Sequence, residues 1–314
     1  MPRFASILIA IAVPAMTLLA AFGVARAWAR RARRRARGRT RDLAARITAH
    51  LDGHTSASAL RRERRALRDD SSWRRELAAR RLGLIAEPAS RRALRAALER
   101  GPELVTLAAA VALGGYRDAR ALRWLIAHPQ ALARRTRRAQ IAALRAFGRG
   151  ALPLLARALE GPGGRAGLEC AMIETLGLGG HNPAVAAIER RLSSRAPEVQ
   201  VAAARALGRL EAAPSIPALL TALNDEAWPV RAVAAWALGR IGAASPEAAP
   251  AIAPLSARLT DRAWWVRRHA AYALWEHGEA GRAVLRQIAE SSPDPYARDM
   301  AREALGGGAG LDAA

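Results

Sequence analysis

Val199-Gln-Val-Ala-Ala-Ala-Arg-Ala-Leu-Gly208 returns 31 residues later as Val230-Arg-Ala-Val-Ala-Ala-Trp-Ala-Leu-Gly239. Between the copies lies Pro214-Ser-Ile-Pro-Ala-Leu-Leu-Thr-Ala-Leu223, a second helical pattern. One unit is therefore two short helices, and a period this regular predicts a stacked array. With Leu238 as anchor, the matching positions are Leu82, Leu113, Phe147, Leu176, Leu207, Leu274 and Leu305. Four residues before each anchor stands Ala78, Ala109, Ala143, Met172, Ala203, Ala234, Ala270 or Ala301. Glycine follows seven of the eight anchors, and Trp275 follows the other.

Each column has a physical reason. Residues four and eight before the anchor share its helical face. Alanine there lets a partner helix come close, and the large anchor fills the space beside it. Glycine one step later suits a chain that leaves its helix through a left-handed conformation. Neither helix of a unit can bury its apolar face alone, so neighbours must stack. Composition agrees. Hydrophobic residues make up 51% of the 314, yet aromatics are only 4%. An apolar fraction of mostly Ala, Leu and Val favours helices over sheets. The expected fold is all-α, an α-solenoid of about eight helix pairs over residues 57–306.

The later units carry a more specific signature. Asp225-Glu-Ala-Trp-Pro-Val230-Arg231, followed by Ala234, Leu238 and Gly239, resembles the HEAT repeat in its short phycobilisome-lyase-like form. Asp261-Arg-Ala-Trp-Trp-Val266-Arg267 repeats it, and Asp294-Pro-Tyr-Ala-Arg298 is a shorter match. The resemblance implies antiparallel helix pairs whose second helices line a concave surface. It also implies that Asp225, Arg231, Asp261, Arg267 and Arg298 form a structural ladder tying neighbouring repeats. A resemblance of this kind speaks to fold, not activity.

All 50 basic residues are arginine and the formal net charge is +23. So much Ala, Arg, Gly and Pro points to a GC-rich bacterial genome. Residues 4–25 carry no charge. About 20 apolar residues suffice to cross a bilayer as a helix. Trp28 then suits the interfacial belt, and Arg30, Arg31, Arg33, Arg34, Arg35 and Arg37 suit anionic lipid headgroups on the cytoplasmic side. The rival is a cleaved signal ending at Ala25-Arg-Ala27, but there the charged end should precede the apolar run, not follow it. The expected order is a transmembrane anchor (1–28), an arginine-rich juxtamembrane segment with a short amphipathic helix (29–56), the solenoid, and a disordered tail (307–314). That places the repeats in the cytoplasm, held at the inner membrane by a single span.

The position two before the anchor changes chemistry from unit to unit, which marks an exposed column. By analogy with the family it faces the concave side. Arg205, Trp236 and Tyr272, with Trp265 nearby, are the expected partner-binding residues, because large exposed aromatics beside arginine are common anchors. No catalytic, cofactor or metal site is expected. His269 and His277 are eight apart, too far for an i, i+4 zinc pair, and no third ligand stands near. Cys170 reads as a small buried hydrophobe. Residues 1–100 hold 24 arginines against eight acids, and the remainder 26 against 19. The excess near the membrane favours headgroup contact over a nucleic-acid groove along the array. The expected function is a non-enzymatic, membrane-anchored scaffold that binds a protein partner. A nucleic-acid-binding array and a lyase-type enzyme accessory are the alternatives.

Overall fold

Sixteen α-helices and seven short 3-10 segments, with no strand, make up the described residues. The computed structural model describes residues 57–85, 87–161 and 164–307. The chain divides into two compact units, 1–61 and 62–314, and residues 57–61 are the described part of the first. The apolar run 4–25, Trp28, the arginines from Arg30 to Arg37, the short helix expected near 40–51 and the tail from 308 onward lie outside the described residues. Among the described residues no helix is long and apolar enough to cross a membrane.

The helices pair as the period requires. They are α1 (Ala57–Ala66) with α2 (Ser72–Gly83), α3 (Pro88–Arg100) with α4 (Glu103–Gly115), and α5 (Ala119–Ala127) with α6 (Arg137–Ala146). Then come α7 (Leu152–Glu160) with α8 (Ala166–Leu178), α9 (Val185–Glu189) with α10 (Pro197–Arg209), and α11 (Ile216–Ala222) with α12 (Trp228–Ala244). The last are α13 (Ile252–Ala257) with α14 (Trp264–Glu276), and α15 (Gly278–Ser291) with α16 (Pro295–Gly306). Several first helices are broken where the sequence pattern reads as one helix. The segment predicted at 183–192 is a 3-10 turn, five residues of α9 and a second 3-10 turn. Pro250 likewise keeps Pro246–Ala251 as a 3-10 stretch ahead of α13, because proline has no N–H to give an α-helix.

The second helices are regular and carry the core. Every anchor from Leu82 to Leu274 is buried, as are the residues four before them. Leu305, at the open end, is half-buried. Second helices pack on one another along the stack, whereas first helices meet their neighbours at fewer points. The second helices form the more closely packed layer.

The glycine column does a different job from the one expected of it. Gly83, Gly114, Gly177, Gly208 and Gly239 lie inside their helices with ordinary φ. A Cβ on Gly83 would sit 2.7 Å from Ala112 Cβ, on Gly177 2.9 Å from Ala206 Cα, and on Gly208 2.8 Å from Ala237 Cα. Each glycine is thus a seat for the alanine just before the next anchor. The left-handed residue falls four after the anchor, at Arg117, Gly180, Glu211 and Gly278. There the amide one residue further on reaches back to the anchor carbonyl in three units: Asp118 to Leu113 at 3.0 Å, His181 to Leu176 at 3.2 Å and Ala212 to Leu207 at 3.1 Å. These are Schellman closures. Gly148 alone in the column has the left-handed φ, +71°, because α6 stops short at Ala146.

Candidate functional site

A polar column seven residues before each anchor fastens the loops. Arg231 Nη1 donates to the carbonyls of Asp225 and Glu226, both at 2.9 Å. Its Nε and Nη2 grip both oxygens of Asp261 in the next unit at 2.8 Å. Both side chains are nearly enclosed. Asp261 Oδ1 also accepts from Ala263 N at 2.9 Å, closing the turn that leads into α14. Burial alone would raise the Asp261 carboxyl, but hydrogen bonds from Arg231 and Ala263, with the charges of Arg231 and Arg258, hold it below its ordinary value. Arg267 Nη1 donates to Asp261 O at 2.9 Å and Arg298 Nη1 to Ser292 O at 2.7 Å, each within its own loop. Asp225 caps Ala227 N at 2.8 Å and accepts from Gln200 Nε2 at 3.0 Å. Thr106, Gln140 and Gln200 occupy the same column and bond carbonyls eight residues back: Leu98, Leu132 and Leu192. Sequence reading found only the arginines, since the column keeps its task and changes its residue.

The opposite side of the second helices is open. At 3.6 residues per turn, positions two and nine before the anchor lie about 160–180° round from it. Trp73, Leu104, Trp265 and Tyr296 hold the position nine before, and Val111 a position two before; all five side chains are exposed. The other exposed large apolar side chains among the described residues are Leu84, Leu178, Trp228 and Trp264. Each lies on a second helix or one step past its end, and none lies on a first helix.

The sequence-predicted residues Arg205, Trp236, Trp265 and Tyr272 fall on the second helices of the fifth to seventh units, with one correction. Tyr272 is buried, at 8% exposure, rather than an exposed anchor. Its hydroxyl lies 3.2 Å from Glu303 Oε1 and the Arg268 guanidinium covers its ring at 4.9 Å. Trp236 is half-buried, with its ring laid over Gly208 of the preceding unit. Trp265 is 49% exposed. It meets Trp264 edge-on at 4.7 Å and stacks on His269 at 6.3 Å. Arg268 also pairs with Glu303 at 3.3 Å. Burial, then the charges of Arg268 and Arg205, push the His269 imidazole below its ordinary value. Arg205 is half-buried and makes no ion pair or side-chain hydrogen bond among the described residues.

Elsewhere the chemistry is sparse. Burial pushes the Cys170 thiol up to about 11, and its Sγ lies 3.3 Å from Glu198 O. His277 is seated against Gly242 instead of facing His269. An open cleft of about 630 Å³, lined by Glu99, Glu103, Trp124, His128 and Arg134 among others, lies where the third unit has its longer loop. Trp124 and His128 stack there at 4.3 Å.

Residues 164–239, 185–257 and 216–306 each match the family model of HEAT repeats. No curated protein matches the chain. Among solved structures, human deoxyhypusine hydroxylase is 22% identical, over 71% of this chain and 85% of that one, with a TM-score of 0.36. The CpcE–CpcF complex of phycocyanin lyase from Nostoc is 24% identical, over 81% and 96%, at 0.34. An engineered protein is 21% identical, over 82% and 79%, at 0.43.

Proposed function

We propose that this chain, whose residues 164–306 are HEAT repeats, is a scaffold that presents the open face of its second helices to a protein partner. The observation that carries this reading is the segregation of exposed apolar side chains. All nine such residues among those described belong to the layer of second helices and none to the first helices. Scattered exposed apolar residues need no explanation, but their confinement to one layer of helices, five of the nine at positions opposite the anchor, marks an interaction surface. The apolar run 4–25 and the arginines after it support an anchor that holds this surface at the cytoplasmic side of a membrane, where tethering raises the effective concentration of a membrane-bound partner.

The test is photo-crosslinking in the cell from single positions on the full chain. Val111 and Trp265 are replaced in turn by a photoreactive residue on the second helices, and Arg123 and Arg157 on the first. A partner captured from the second-helix positions only is the expected result. Equal capture from both layers, or turnover of a substrate by the purified chain, would overturn the reading.

A further inference from the structure

The middle of the open face carries three arginines, of which Arg268 pairs with Glu303, Arg209 feels the charge of Glu174, and Arg205 makes no ion pair among the described residues. Arg205 and Arg209 are one turn apart on α10. Burial, then the like charge of Arg205, works against protonation of Arg209, while the charge of Glu174 favours it. Arg205 has no carboxylate partner, and its field reaches His269 on α14, two units along. Arg268 projects from the same stretch of α14, held above Tyr272 and Trp264 by ring contacts at 4.9 and 5.5 Å. Between these helices lies the Trp236 ring, and beside them the exposed Trp265. Acids bound this zone on both sides. Glu174 and Glu198 stand at the positions two and nine before the anchor toward the start of the chain, and Asp299 and Glu303 line α16 toward its end.

We infer that this patch, formed by Arg205, Arg209, Trp236, Trp265 and Arg268, binds a short extended segment of the protein partner in which one or two carboxylates are flanked by apolar side chains. The inference rests on the scaffold reading and names the chemistry of its partner. A carboxylate seated at Arg205, with Arg209 one turn away, answers the guanidinium that makes no ion pair among the described residues, through charge-assisted hydrogen bonds. Apolar neighbours cover Trp236 and Trp265, which supply rigid contact area. The flanking acids set the length. A phosphodiester chain tracking along the face would meet Glu198 or Glu303 within a unit of the arginines, whereas a short acidic motif fits between them.

The experiment pans a displayed random-peptide library on the full-length, detergent-solubilised chain, then measures the enriched peptides by fluorescence anisotropy. Enriched sequences are expected to hold Asp or Glu beside Leu, Ile, Phe or Trp. Arg205→Glu should weaken their binding by about tenfold or more. Arg205→Gln, which removes the charge without reversing it, should fall between Arg205→Glu and the parent. Arg157→Glu carries the same change in net charge on a first helix and should bind as the parent does. Equal losses from Arg157→Glu and Arg205→Glu, or no enrichment at all, would overturn the inference. Tighter binding of an oligouridylate that displaces the peptides would overturn it in favour of nucleic acid. Enriched peptides without acids that still need Trp265 would sink the anionic motif and leave the scaffold reading standing, which the crosslinking decides separately.

Discussion

Arg117 and Glu211 hold φ angles of 50° and 49°, in the left-handed region that suits glycine. They do so because the Schellman closure needs that geometry four residues after the anchor, and Gly180 and Gly278 fill the equivalent places in other units. Arg117→Gly should therefore raise stability by about 1 kcal/mol, read as a higher denaturation midpoint. Glycine's column was legible in the sequence, but its purpose was not. A glycine one step past a leucine looks like a helix end. That the glycine is still part of the helix is visible only once the next unit's alanine is seen to need the seat. His277 makes a second residue-scale case. Its ring covers Gly242, its Nε2 has no partner, and burial pushes its pKa below the ordinary 6.5. The unfolded chain then binds the proton more readily, so stability is full above pH 6.5 and falls as pH drops through the lowered folded value. Thermal midpoints measured from pH 7.5 to 5 should decline in the parent and decline less in His277→Gln.

At the scale of an element, the joint between neighbouring second helices is glycine against alanine. Gly177→Ala would drive a Cβ to within 2.9 Å of Ala206 Cα, a backbone atom that cannot swing aside. Overpacking of this kind costs about 1–3 kcal/mol. Amide exchange should show α8 and α10 losing protection together. The ladder is the other element-scale contact. Arg231→Met leaves Asp261 buried without its bidentate partner, which typically costs about 3–5 kcal/mol. Asp261 is held below its ordinary 3.8, so this contribution is present above that pH and lost as pH falls through the lowered value. An acid titration of the parent should show a late loss of helix that the variant lacks. The Asp–Val-Arg motif was readable because side chain and spacing recur together. Thr106 and Gln140 were not, because loop carbonyls accept equally from hydroxyl, amide or guanidinium.

For the whole molecule, the eight pairs and their order were in the sequence, since a repeated core pattern states its own period. Which residues stand open to solvent was only partly there. Tyr272 and Trp236 share a register, yet one is buried under Arg268 and the other lies across its neighbour. Exposure depends on what the next unit contributes, here Glu303 for Tyr272 and Gly208 for Trp236. The layer of second helices as a surface shows itself only when the nine exposed apolar residues are placed on it together.

Gly148 turns out of its helix where its counterparts run on, and a Cβ there would touch nothing within 4 Å. The short α6 it ends is also less closely engaged with α4 and α8 than the helices on either side are with their own neighbours. The molecule therefore has a seam. Under tension the interior of the array, from α2 to α14, would yield there first, with a shorter arm before residue 148 and a longer one after it. The second arm contains every match to the HEAT model. Under load the two would swing as levers about one soft point while the seats within each stayed shut.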